Sequence, residues 1–141
     1  MMQTVVPPDL ELFLCDYLRA VLGGKSINIE VSNREPSSFD GNTPYCVVRD
    51  DGGQKTGLTT FDRSVGVSIY AGNRQSTLQA GELARRAFAA LTSPTIAYEK
   101  GSPIAAVIDD GCNGPYRVTD QHDSSKCYMT VEYSVVGTIE D

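Results

Sequence analysis

His122 is the chain's single histidine, and it lies between Asp120 and Asp123. A histidine that hydrogen-bonds to a carboxylate can take up and release a proton near neutral pH, as an acid-base relay requires. The hydroxyls of Ser124 and Ser125 belong to the same predicted turn, so the sequence places no separate nucleophile beside the ring. We expect an exposed turn histidine, and a small enzyme or ligand-binding module with a site near His122 is the alternative.

A second candidate is the run Gly24, Lys25, Ser26, which imitates the end of the phosphate-binding loop G-x-x-x-x-G-K-[ST]. The first glycine of that motif is missing, because its position holds Arg19. The run also ends a predicted helix and begins a strand, so no helix N-terminus would face a phosphate. The sequence therefore predicts a helix stop here and no nucleotide site.

The acidic residues could in principle gather around a hard cation, which prefers several oxygen ligands. The segment DDGCNG at 109–114 lacks the alternating oxygen ligands of a calcium loop, and Asp50 and Asp51 more plausibly open a turn. The cysteines, which have none of the C-x-x-C spacing of zinc sites, are Cys15, Cys46, Cys112 and Cys127. We expect free thiols, although a disulfide between Cys112 and Cys127 stays open. No catalytic residue, metal or cofactor is predicted.

Length, charge and composition limit the number of domains, the binding partners and the location that the chain can have. The chain has 141 residues, which suits a single domain over 1–141. Its formal net charge of -6 disfavours non-specific binding to nucleic acid or to an anionic membrane. The start, MMQTVVPPD, has no basic segment followed by an apolar core, so we expect neither a signal peptide nor a transit peptide. These features predict a protein of the cytosol, or of an assembly built there.

The strongest structural pattern is a strand that runs through a turn into a helix, from Phe61 to Leu91. Apolar residues alternate from Val65 to Ala71, as in a strand with one buried face. Ser76 lies three residues before Gln79, which is the spacing of a capping box. The helix that follows has its apolar residues at helical spacing: Ala80, Leu83, Ala84, Ala87, Phe88 and Leu91.

The other elements follow from the same rules of spacing. A first helix opens at Pro7, Pro8 and Asp9 and ends at Gly23 and Gly24. Its apolar stripe comprises Leu10, Phe13, Leu14, Tyr17, Leu18, Val21 and Leu22, and leaves Leu12 outside. Further strands are predicted at Ile27–Val31, Tyr45–Asp50, Tyr116–Gln121 and Lys126–Thr138, with a loop at Asn33–Thr43. Two short apolar segments, Ile96–Tyr98 and Ile104–Ile108, are further strand candidates. The fold class is α+β, with two helices packed on a mainly antiparallel sheet in the order α-β-β-β-α-β-β-β.

Several strings within this order resemble the tail terminator proteins of long-tailed phages and prophages, also called tail completion or head-tail joining proteins of the lambda U type. The leading helix ends in LGG at 22–24, and PYCVVRDDGG follows at 44–53. Asp62 and Arg63 then introduce a hydrophobic strand that runs into an alanine-rich helix. The strands YRVTDQHD and CYMTVEYSVVGT close the pattern.

The resemblance implies a structural protein without catalytic residues or cofactor. Members form a homo-oligomeric ring, here expected to be a hexamer, which binds the last ring of the tail tube protein, stops polymerisation and faces the head-tail connector protein. Genomic DNA would pass through the bore without specific binding, with no membrane involved. The expected location is the virion neck, assembled in the host cytoplasm; another phage neck protein and an unrelated bacterial interaction domain are the alternatives.

The segment from Asp50 to Thr60 is the predicted contact region. Its glycines and polar residues predict a flexible connection between two strands, with few anchors and a tendency to project. Projecting hairpins and sheet edges are natural sites for contact with a neighbouring subunit. The interface residues predicted there are Asp50, Asp51, Gln54, Lys55 and Leu58.

Overall fold

A computed structural model describes residues 3–23, 28–36, 43–73, 77–119 and 125–141 of the chain. The helices are α1 (Leu10–Gly23) and α2 (Leu78–Thr92). The strands are β1 (Thr4–Val6), β2 (Glu30–Ser32), β3 (Tyr45–Gly52), β4 (Thr60–Tyr70), β5 (Ile104–Val107), β6 (Asn113–Val118), β7 (Lys126–Val136) and β8 (Thr138–Glu140). The predicted α+β class is confirmed.

The main sheet has the order β2-β3-β4-β7-β5, and β6 also pairs with β7. All of its pairings are antiparallel except β2 with β3, which is parallel. Strands β4 and β7 pair along their whole length, from Thr60 opposite Val136 to Tyr70 opposite Lys126. Strands β5 and β6 occupy the other edge of β7, one after the other. Strands β4 and β7 are therefore the central strands of the sheet.

Both helices cover one face of this sheet. Alternation along β7 buries Cys127, Met129, Val131, Tyr133 and Val135 against them, as the sequence predicts. On α2 the buried residues are Ala80, Leu83, Ala84, Ala87 and Leu91, so the alanines let the helix lie close to the sheet. Helix α1 buries Leu10, Leu14, Cys15, Leu18 and Leu22, whereas Leu12 and Val21 stay exposed. The core stripe of α1 is therefore rotated slightly from the predicted one.

The element order differs from the prediction in two respects. The predicted strand Ile96–Tyr98 is wrong, because Pro94–Tyr98 forms a 3-10 helix whose start is capped by the Ser93 side chain. Strands β1 and β8 form a separate two-stranded antiparallel sheet that was not predicted. Gly137 separates β7 from β8, and a side chain there would overlap Val5, Val6 and Phe61. Only glycine therefore leaves room for the small sheet to pack at this point.

The ends of the helices follow the expected chemistry in part. At the start of α1, the Asp9 carboxylate accepts the backbone N–H of Leu12 at 3.1 Å. The residue before α2 is Thr77, which makes no side-chain capping bond. Ser76, the first residue of the predicted capping box, lies outside the described residues, as do Gly24, Lys25, Ser26 and Ile27. Within the described part of the chain, no helix is long and apolar enough to span a membrane.

Candidate protein-interaction surface

The connection between β3 and β4 is an ordered hairpin, which we call the arm (residues 53–59). Its two sides are joined by backbone hydrogen bonds from Asp62 to the Gln54 carbonyl, at 2.8 Å, and from Thr56 to the Thr60 carbonyl, at 3.0 Å. The hydroxyls of Thr56 and Thr60 also lie 3.0 Å apart. The prediction that this segment has few anchors is therefore wrong, because the backbone pairing of the two strands continues into it at Lys55 and Phe61.

Two close approaches fix the base of the arm. A side chain at Gly53 would overlap the carbonyl group of Asp62, so only glycine allows the two backbones to come this close. At the other side, the Thr59 carbonyl accepts the backbone N–H of Gly137 at 2.8 Å. The arm is thus fastened to the end of β7, next to the small β1–β8 sheet.

The tip of the arm carries a large apolar side chain. Leu58 is 86% exposed, although most leucines of this chain lie in the core. Gln54 and Lys55 on the same arm are exposed as well. The arm therefore presents one leucine, one amide and one ammonium group on a preformed backbone.

The predicted interface residue Asp50 lies at the root of the arm and bonds within its own chain. Its backbone N–H donates to the Glu11 carboxylate at 2.7 Å, and its own carboxylate accepts the N–H of Gly52 at 2.8 Å. The register of β3 against β4 shifts between Asp50 and Gly52. Asp50 therefore shapes the bulge from which the arm departs.

Asp51 lies instead on the sheet face opposite the helices. Its carboxylate is close to Gly66 and to the hydroxyl of Tyr128, which lies directly over that glycine. Burial raises the pKa of the Tyr128 phenol, and the negative charge of Asp51 raises it further. The ring of Tyr128 also meets Tyr116 edge-on, with centroids 5.9 Å apart. Asp51 thus belongs to a polar, tyrosine-rich patch of the open face.

A groove lies beside the arm, between the first half of α1, the loop before β5 and the end of β7. Its apolar lining comprises Pro8, Leu12, Phe13, Pro103 and Val136. Leu12 is 61% exposed and Val136 is 43% exposed, so the lining is open to solvent. Asp9, Asp16 and Lys100 line the same groove and supply its charged groups. Arm and groove meet at the pair of Thr60 with Val136.

The structure therefore separates the five predicted interface residues: Gln54, Lys55 and Leu58 lie on the exposed arm, Asp50 lies at its root, and Asp51 lies on the sheet face opposite the helices. The groove was not predicted. The sequence contained one indication of the groove, because Leu12 falls outside the apolar stripe of α1. A single exposed leucine carries little information until its neighbours are known.

The other candidates for chemistry are the residues around His122 and the acidic segment at 109–110. His122, Asp120, Asp123 and Ser124 lie outside the described residues. Asp109 and Asp110 form an exposed 3-10 turn. Among the residues the structure describes, no group of three or more His, Cys, Asp or Glu side chains could hold a metal ion.

All four cysteines are free thiols, so the open alternative of a Cys112–Cys127 disulfide is not realised. Cys15, Cys46 and Cys127 are buried, and Cys112 is half-buried with its thiol donating to the Ile108 carbonyl at 3.4 Å. Burial raises the pKa of each thiol, most strongly at Cys46. A thiol with a raised pKa carries little thiolate at neutral pH and is a poor nucleophile.

Comparison of the chain with protein-family models and with curated proteins finds no match.

Proposed function

We propose that this protein is a ring-forming structural component of the phage neck, of the tail-terminator kind. It caps the tail tube, terminates tail polymerisation and joins the tail to the head connector. The observation that carries the proposal is the preformed arm, whose Leu58 is 86% exposed beside an open apolar groove. Exposed apolar side chains rimmed by polar groups mark sites of protein–protein contact. The sequence resemblance supplies the particular role.

The ring is built from one chain type. Two different patches on the same subunit produce head-to-tail contacts, and such contacts close into a ring when the rotation between neighbours divides a full turn. We propose a hexamer, which follows the resemblance. The two faces of the ring then bind the tail tube protein and the head-tail connector protein.

The charge of the chain fits the passage of DNA through such a ring. Each subunit carries a formal net charge of -6, and this charge repeats in every subunit around the bore. Like charges repel, so DNA would slide through without sticking. The protein acts in the virion neck after assembly in the host cytoplasm, and it has no catalytic role in this proposal.

The test is the mass and shape of the purified chain. Light scattering over a range of concentrations, combined with negative-stain images, should show rings, either free or on added tail tubes. A chain that stays monomeric at high concentration and does not bind tail tubes would contradict the proposal. The alternative of a small enzyme near His122 predicts instead an activity that His122→Ala removes.

A further inference from the structure

We infer that the groove beside the arm binds the arm of a second copy of this chain. Leu58 of one subunit would enter the groove at Leu12 and Val136 of the next. We call this the arm-in-groove contact. It rests on the proposed ring, and it names the surfaces that close it.

The apolar character of both surfaces supports this pairing. Leu58 is 86% exposed on the arm, and Leu12 and Val136 are 61% and 43% exposed in the groove. Each surface holds apolar area that its own subunit leaves in water, which costs free energy in proportion to that area. Bringing the two surfaces together removes both from solvent.

The arm is held in place within its own subunit. Its base is fastened by the bond between Thr59 and Gly137, 2.8 Å, and by the pairing of Thr60 with Val136. Although the arm departs next to its own groove, its tip stays exposed there. Two complementary patches on one chain that do not meet within it can be joined by a second copy of the same chain, which gives a head-to-tail contact.

The charges of the arm and of the groove are also of opposite sign. Lys55 is the charged residue of the arm, and the groove holds two carboxylates, Asp9 and Asp16, against one ammonium group, Lys100. Asp16 is exposed and forms a surface ion pair with Arg19 at 2.8 Å. Such rim charges orient two partners and speed their encounter more than they add affinity.

The hydrogen-bonded backbone of the arm lowers the entropic cost of binding. A segment that is already ordered before binding loses less conformational freedom when it binds. The bonds from Asp62 to Gln54 and from Thr56 to Thr60 fix the arm before any partner arrives. The tip can therefore present Leu58 without first folding.

The decisive experiment mixes two variants of the full chain. Leu58→Asp destroys the arm tip but keeps the groove, and Leu12→Asp destroys the groove but keeps the arm. Leu12 lies in the first turn of α1, where a negative charge is compatible with the helix dipole. Each variant alone should self-associate about 100-fold more weakly than the wild type.

An equimolar mixture of the two variants retains one intact arm and one intact groove. It should form a 1:1 heterodimer of twice the 15.2 kDa chain mass, and no ring. The matched control is Leu78→Asp, an exposed leucine at the start of α2 that does not line the groove, and it should assemble like the wild type. Circular dichroism should show that all three variants are folded.

The outcomes separate the two proposals. Wild-type rings that persist in the Leu58→Asp and Leu12→Asp variants would overturn the arm-in-groove contact and leave the neck function standing. Variants that are each monomeric but form no heterodimer on mixing would also overturn it. A wild type that neither forms rings nor binds tail tubes would overturn the neck function as well.

A charge exchange provides an independent test of the same contact. Lys55→Glu should weaken self-association about tenfold in low salt, and Asp16→Lys in the same chain should restore most of it. If the double variant assembles no better than Lys55→Glu alone, Lys55 does not face Asp16 of a neighbour, and the proposed orientation is wrong.

Discussion

The carboxylate of Glu11 in α1 accepts the backbone N–H of Asp50 in β3, with 2.7 Å between Oε2 and the nitrogen. Its other oxygen accepts the side-chain amide of Asn33 at 3.0 Å. One side chain of the first helix therefore holds both the root of the arm and the residue that follows β2.

Replacing Glu11 should loosen the arm root. We expect Glu11→Ala to lower the free energy of unfolding by ~1–3 kcal/mol, because it leaves the Asp50 N–H without its acceptor. Glu11→Gln keeps one carbonyl oxygen and should lose roughly half as much. Urea unfolding measures both, and Glu82→Ala on the exposed side of α2 should stay within about 0.5 kcal/mol of the wild type. Equal stabilities of Glu11→Ala and Glu82→Ala would refute this role.

The hydroxyl of Tyr133 donates to the Leu91 carbonyl at 2.6 Å inside the core. It satisfies one of the last carbonyls of α2, which have no partner within the helix. Tyr133→Phe should therefore cost about 1–2 kcal/mol of stability in thermal or urea unfolding. The matched variant is Tyr17→Phe, whose hydroxyl donates to Ala90 at 2.9 Å in a half-buried position, and it should cost less. The reverse order would contradict the assignment.

Stability should fall at alkaline pH. Burial raises the pKa of Tyr133 above the ordinary value of 10.0, and burial likewise raises the pKa of Cys46 above 9.0. Above these ordinary values the unfolded chain loses the protons and the folded chain keeps them, so each group contributes stability at lower pH that is lost as the pH rises. Each should reduce the free energy of unfolding by about 1.4 kcal/mol per pH unit.

Urea unfolding at a series of pH values above 8 checks this slope. Tyr133→Phe should flatten the fall above pH 10.0. Val131→Ala, which destabilises the same strand without removing a titrating group, should keep the wild-type slope. An unchanged slope in Tyr133→Phe would show that another group causes the fall.

Gly66 and Tyr128 make a close contact across β4 and β7. The phenol hydroxyl lies where a side chain at position 66 would be, and the ring carbon that bears it would be 3.1 Å from the new Cβ. We expect Gly66→Ala to destabilise the protein by ~1–3 kcal/mol, because the ring must move. Adding Tyr128→Phe removes the hydroxyl and should restore part of the loss. Simple additivity of the two substitutions in urea unfolding would mean that they do not interact.

The elements with a strong local pattern were predicted well. The alternation from Cys127 to Val135 predicted β7 and its buried face, and the spacing from Ala80 to Leu91 predicted α2. The segment at Ile96 was misread, because three apolar residues are too few to distinguish a strand from a turn of helix. There, Pro94 and the Ser93 cap decided the backbone conformation.

For the candidate site, the sequence predicted a connection that projects between two strands, but it predicted neither the hydrogen bonds that hold this arm nor the groove beside it. Glycines and polar residues favour a turn, and this preference depends only on residues that are close in the chain. Whether a turn is rigid depends on bonds to distant residues, here those of Thr59 with Gly137 and of Asp50 with Glu11. The groove could not be predicted, because Leu12 and Val136 are far apart in the chain.

The sequence by itself determined the α+β class, both helices and the buried faces of the long strands, since each depends on a period repeated within a few residues. Only the tertiary structure decided that β7 lies between β4 and β5, that β1 pairs with β8, and that arm and groove share one end of the molecule. Such pairings join distant segments and depend on which edges and apolar faces are left to be covered. Local periodicity does not carry that information.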